Sequence, residues 1–134
     1  MANNYCQFSA ALVVPKGRGK RAESIAARVA EELEKDEAEG CCGTGWSLED
    51  EGSDSPHIWF RSDESGTPEH AEKIAKAILE ELELDGAFVL SWAFTCSKLR
   101  LDEFGGGACV VRRGMETVWV DAASEAQKQA GIAT

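Results

Sequence analysis

The chain holds 134 residues, with 24 Asp plus Glu against 14 Lys plus Arg and a formal net charge of −10. That length suits a single domain over residues 1–134, large enough to build a core without metal or disulfide staples. A hydrophobic content of 43% with four Trp excludes a chain disordered throughout. The acidic balance excludes an extended direct grip on nucleic acid, because each phosphate contact needs a cation.

The charge is unevenly placed. Residues 1–30 carry Lys16, Arg18, Lys20, Arg21 and Arg28 against Glu23, a net of +4. Residues 31–54 carry ten acids, among them Glu31, Glu34, Glu37, Glu49, Asp50, Glu51 and Asp54, against Lys35, a net of −9. The five Cys are an odd number, and the start Met1-Ala2-Asn3-Asn4-Tyr5 has neither a basic nor an apolar leader character. A reduced, cytoplasmic setting is therefore expected. No apolar run reaches the roughly 18 residues of a membrane span, so no membrane partner is expected.

In chain order, Tyr5 to Val14 alternates with period two and predicts a strand with Cys6, Phe8, Ala10, Leu12 and Val14 on its core face. Pro15 ends it, and Gly17 to Gly19 turn into a helix that starts near Lys20 and frays near Glu39-Gly40. Ala22, Ile25, Ala26, Val29, Ala30 and Leu33 form its apolar stripe, and Arg28 is spaced to meet Glu32. Trp46 to Glu51 and His57 to Ser62 predict a hairpin closed by Gly52 to Pro56. A second helix begins with Thr67 as N-cap and Pro68 at its first position. It buries Ala71, Ile74, Ala75, Ile78, Leu79 and Leu82, pairs Glu69 with Lys73 and Glu72 with Lys76, and closes at Asp85-Gly86.

Ala87 to Cys96 reads as a central strand, apolar on both faces and therefore expected to be covered on both. A loop over Ser97–Gly107 follows, then a hairpin of Ala108–Arg112 and Thr117–Asp121 and a short helix over Ala122–Ala130. The fold class is α+β. The first six elements predict a ferredoxin-like βαββαβ sheet with two helices on one face, extended by a C-terminal β-hairpin and a short helix.

Several constellations are candidates for chemistry. Tyr5, Trp59 and Trp119, with Arg61 and Arg112, would suit base stacking on an exposed sheet face, but the RNA-binding signature motifs are absent and the field repels phosphate. Cys41-Cys42 lacks zinc-ligand spacing, and Cys6, Cys96 and Cys109 fall on strand patterns, so no metal and no cofactor is expected. Asp63, Glu64 and His70 flank the start of the second helix and offer either acid–base chemistry or an ordinary turn and helix end. Lys98 and Arg100 beside Gly105, Gly106 and Gly107 offer an anion site for a small ligand such as a nucleotide signal, or a plain β-connection. The glycines lack the Walker spacing of a phosphate-binding loop.

Asn4-Tyr5-Cys6-Gln7-Phe8, Asp63-Glu64-Ser65-Gly66 and the segment from Thr95-Cys96-Ser97-Lys98 to Gly107 together resemble a family of small phage- and plasmid-borne proteins, a likeness that runs from Asn4 to about Asp121. The resemblance supplies a genetic context and no catalytic residues. It implies a counter-defence role, as in anti-CRISPR proteins that occupy nucleic-acid-binding surfaces of host complexes. On that reading Glu31, Glu34, Glu37, Glu49, Asp50, Glu51 and Asp54 imitate a row of phosphates, with Trp59 as an apolar anchor. The partner would be a basic surface of a host protein or nucleoprotein defence complex, and the protein would be non-enzymatic.

Overall fold

The alternation in the first strand sorts its residues cleanly. Cys6, Phe8, Leu12 and Val14 are buried, whereas Gln7, Ser9, Ala11 and Val13 face the other way. The computed structural model describes residues 4–36, 44–99 and 104–131. Within them lie β1 (Asn4–Val13), α1 (Gly19–Asp36), β2 (Gly45–Glu49), β3 (His57–Ser62), α2 (Pro68–Glu81), β4 (Ala87–Cys96), β5 (Gly105–Arg112), β6 (Val118–Asp121) and α3 (Ala122–Gln129). The architecture is α+β: one open, antiparallel sheet in the order β2-β3-β1-β4-β5-β6, with three helices.

Both long helices pack on one face of that sheet. α1 sends down Ala22, Ile25, Ala26 and Val29, and α2 sends down Ala71, Ile74, Ala75, Ile78 and Leu79. They meet Ile58 and Phe60 of β3, Phe88 and Leu90 of β4, and Cys109 and Val111 of β5 in one core cluster. Phe60 and Phe88 lie 5.5 Å apart at a tilted angle, a favourable aromatic geometry. Arg28 binds the Glu81 carboxylate from α1 across to α2 rather than pairing with Glu32 along its own helix. Among the described residues no helix is long and apolar enough to cross a membrane.

Four local expectations are corrected. The second helix does not close at Asp85-Gly86. Leu82 is its C-cap, and Glu83 takes the left-handed conformation (φ 54°), so that the Leu84 N–H can donate to the Leu79 carbonyl at 2.9 Å. Glu72 and Lys76 are drawn to the β5–β6 hairpin instead of to each other. Thr117 donates to Glu72, and the Lys76 ammonium donates to the carbonyls of Arg112 (2.6 Å) and Met115. β4 is covered on one face only, with Val89, Ser91 and Ala93 exposed on the other. Lastly, Gly105, Gly106 and Gly107 are not loop residues but the first residues of β5, paired with Phe94, Ala93 and Trp92. Close approach explains that last change. A Cβ on Gly107 would sit 2.9 Å from the Trp92 ring and collide with the Val120 carbonyl, and one on Gly106 would sit 2.5 Å from the Trp92 carbonyl.

The ladder between β1 and β4 is short. Its register runs from Asn4↔Cys96 to Gln7↔Ala93, and beyond that point β1 pairs with β3 alone. The remaining halves of the two strands flank a groove of about 550 Å³ whose lining includes Ala11, Val13 and Val89, Leu79 and Leu84 from the helix side, and the carboxylates of Asp54 and Asp85.

Candidate functional site

The acidic residues singled out in the sequence are divided by the fold. Glu49 ends β2, and Asp50, Glu51 and Asp54 stand on the connection to β3. That connection is built, not slack. Asp50 (φ 55°) and Gly52 (φ 89°) turn the chain through left-handed geometry, and the Asp50 carbonyl accepts from Ser53 N at 3.1 Å and Ser53 Oγ at 2.7 Å. Ser55 N donates to Ser53 Oγ at 3.1 Å, locking the second half of the turn.

The basic N-terminal segment folds back onto this turn. The Val14 N–H donates to the Pro56 carbonyl at 2.9 Å, which sets Pro15–Gly19 beside it. Lys16 then pairs with Asp54 at 3.1 Å and Lys20 with Glu51 at 3.6 Å, while His57 Nδ1 lies 3.9 Å from Asp50. These pairs are exposed, so each neutralises charge locally more than it stabilises. The polarity of the linear sequence is therefore partly cancelled in space.

Glu31 and Glu34 belong to another place. Gly19, at the start of α1, would touch Leu48 and Pro56 through a Cβ, so that end of the helix sits at the acidic turn. Glu31 lies 12 residues further along α1, about 18 Å at the helical rise of about 1.5 Å per residue. Both residues are exposed, and Glu31 pairs with Lys35 at 3.5 Å. The carboxylates thus form two patches and not one row. Glu37 lies outside the described residues.

Trp59 occupies the sheet face that no long helix covers. It is 38% exposed, its Nε1 donates to Ser9 Oγ at 2.8 Å, and the Arg61 guanidinium lies 4.3 Å from its ring centroid. Arg61 donates in turn to Ser47 Oγ (2.9 Å), and Ser47 donates to Glu49 (2.7 Å). The structure therefore joins Trp59, Arg61, Ser47 and Glu49 in one hydrogen-bonded string across β1, β3 and β2. Arg61 and Ser47 were not singled out with the acids, although the alternation in His57–Ser62 places Arg61 beside Trp59. Trp119 was expected on this same face; it lies on the opposite one, 5.9 Å from Trp92 and beside the start of α2, because Trp119 pairs with core residue Cys109.

The remaining candidates are not assembled. Asp63 and Glu64 have exposed side chains and contribute backbone carbonyls, to Gln7 Nε2 at 3.1 Å and to Cys6 N at 2.7 Å. His70 is buried on α2. Among the described residues no group of three His, Cys, Asp or Glu side chains is placed to hold a metal ion. Lys98 is exposed, Arg100 and Cys41-Cys42 lie outside the described residues, and Gly105–Gly107 are committed to the β4–β5 ladder. Cys109 is no nucleophile at neutral pH, since burial pushes its thiol up to about 11. Burial also raises the Cys6 thiol. No family model, curated protein or solved structure matches the chain.

Proposed function

We propose that this protein is a non-enzymatic interaction protein that presents fixed carboxylates to a basic, nucleic-acid-binding surface of a host protein or nucleoprotein. The likeness to phage- and plasmid-borne proteins points to a defence complex, such as a CRISPR effector in the host cytoplasm, as that partner. The observation that carries the reading is the β2–β3 turn, where Glu49, Asp50, Glu51 and Asp54 stand within six residues on a hydrogen-bonded frame. Carboxylates on a fixed frame lose little entropy on binding, whereas the same charges on a loose loop must be ordered first. Glu31 and Glu34 supply a second patch about 18 Å along α1. Net charge of −10 steers the whole molecule toward a basic groove, with an on-rate that falls as salt rises. We also infer that the first six elements form a ferredoxin-like unit, a reading supported by the strand order β2-β3-β1-β4, with β5 and β6 extending the β4 edge.

The test is competition. The purified protein is titrated against DNA binding by a panel of RNA-guided effector complexes, beside a variant carrying Glu31→Gln, Glu34→Gln, Asp50→Asn and Glu51→Gln. Asn tolerates the left-handed geometry at position 50, so the turn is kept. Inhibition of one effector that weakens with salt and drops at least about tenfold in the variant is expected. Equal inhibition by the variant, or no inhibition of any member, would reject the proposal.

A further inference from the structure

The face of the sheet turned away from α1 and α2 carries a pattern that fits a second copy of itself. Cross-strand register sets outward side chains in rows. One row runs Ser47, Trp59, Ala11 across β2, β3 and β1, then Val89, Val110 and Val118 across β4, β5 and β6. Ala11 and Val89 face each other across the groove between β1 and β4. The neighbouring row begins Glu49, His57, Val13 on one side of that groove and ends Ala87, Arg112 on the other. Val13 and Val89 are 59% and 58% exposed, and Trp59, Val118 and Val120 are also exposed on this face. Half of the large hydrophobic residues exposed on the described chain therefore gather here, an apolar concentration beyond scattered surface side chains.

We infer that this face joins two copies of the chain, sheet against sheet, around a two-fold axis parallel to the strands. Such an axis keeps each row opposite itself and reverses its left–right order, laying β2 of one protomer over β6 of the other and β3 over β5. Trp59 then meets Val110 of the second copy, and Ala11 meets Val89. Glu49, at the β2 end of its row, stands one strand spacing, about 4.8 Å, to the side of Arg112 on the facing sheet about 10 Å away, a gap that the two long side chains together span. The contact is made twice, as an isologous interface requires. Among the described residues no carboxylate pairs with the Arg112 guanidinium within the chain.

Charge favours this occupant over a stranger. The chain as a whole carries −10, yet the strand residues of this face carry only Glu49 against Arg61 and Arg112, with Asp54 and Asp85 at the groove between β1 and β4. Two copies therefore meet here with less repulsion than α1 would impose. Area suffices too. Six strands at about 4.8 Å spacing and four rows about 7 Å apart give roughly 600 Å² before side-chain relief, near the roughly 800 Å² per partner of standard interfaces. Glu49 is common to this face and to the acidic turn, whereas Lys20 and Lys16 hold Glu51 and Asp54 toward the start of α1.

Sedimentation equilibrium of the full chain tests it, with circular dichroism to confirm folding of each variant. The wild type is expected at twice the monomer mass. Val89→Lys, or Val118→Lys should the first fail to fold, is expected to weaken association about 30-fold or more. Glu49→Arg alone is expected to weaken it, and Glu49→Arg combined with Arg112→Glu to restore it. A monomeric wild type, or a dimer indifferent to both lysine variants, would overturn the inference. A double variant no tighter than Glu49→Arg would overturn the stated two-fold pairing.

Discussion

On one face of the sheet Ile58, Phe60, Leu90, Cys109 and Val111 lie fully buried beneath two helices, whereas on the other Val13, Val89 and Val118 are more than half exposed. The backbone between them is the same, and so, in β4, is the residue chemistry: Phe88, Leu90 and Trp92 on one side, Ala87, Val89 and Ala93 on the other. Hydrophobicity in a strand thus marks a surface that wants cover without saying whether the cover comes from the same chain. The helices supply it on one side because their stripes of Ala and Ile are spaced for it. α3 buries none of its residues.

Breaking the covered side has the largest expected effect. Phe60→Ala, at a site with no exposure and a neighbouring Phe88 ring, should cost about 3–5 kcal/mol in denaturant unfolding, the usual range for an aromatic truncated in a core. Gly107→Val should cost about 1–3 kcal/mol, because the added side chain drives into the Trp92 ring and the β6 backbone. Its signature is a loss of near-ultraviolet dichroism from the Trp92–Trp119 pair ahead of the rest. Removing the cations that fold back on the acidic turn, Lys16→Ala with Lys20→Ala, should change stability by less than about 1 kcal/mol at low salt and by less still at high salt. On the open side Val13→Thr should stay within about 0.5 kcal/mol when unfolding is followed at concentrations low enough to keep the chain monomeric.

A subtler contrast is read in pH. The Gly114 N–H bound to Glu80, with Lys76 and Arg113 nearby, and the Arg28 guanidinium bound to Glu81 hold both carboxyls below the usual glutamate range. The Ser124 N–H does the same for Asp121 at the start of α3. A carboxyl with a lowered folded pKa adds stability that is complete above the ordinary carboxylate range and is lost as pH falls through the folded value. Melting temperature should therefore fall on acidification below about pH 4, and less steeply in a Glu80→Gln, Glu81→Gln variant. An unchanged slope in that variant would remove these two groups from the acid response. At the alkaline end the sign reverses. The Cys109 thiol, held near 11, adds stability below its ordinary value of 9.0 that is lost as pH rises toward 11.

Much of the frame was legible in the residues. His57–Ser62 and Ala87–Cys96 are strands with the bounds that their period and flanking turns give, and Thr67-Pro68 marks the start of α2. The three glycines that open β5 were not legible as strand, since a residue without a side chain carries no period. Their reason is Trp92 and Val120 pressing from two neighbouring strands. In the same way the acids of the β2–β3 turn were visible as a cluster, but their partners Lys16 and Lys20 were not. That pairing follows from the long-range β1–β3 ladder and the Val14–Pro56 hydrogen bond that continues it, which no local pattern encodes. Trp119 was misplaced because β6 is short and its register is set by Cys109, not by its own alternation.

The short ladder between β1 and β4 has a mechanical meaning. Four register pairs, Asn4↔Cys96 to Gln7↔Ala93, are the paired backbone that links the β2-β3-β1 half of the sheet to the β4-β5-β6 half. Across the rest of the boundary the halves are joined through the helix layer, where Arg28 grips Glu81. Pulled apart at its ends, the molecule would part along this line like a zipper fastened only at the bottom. Amide exchange should map the same line, with Ser9, Ala11 and Val13 trading their protons before Phe8, Ala10 and Leu12 on the β3 side.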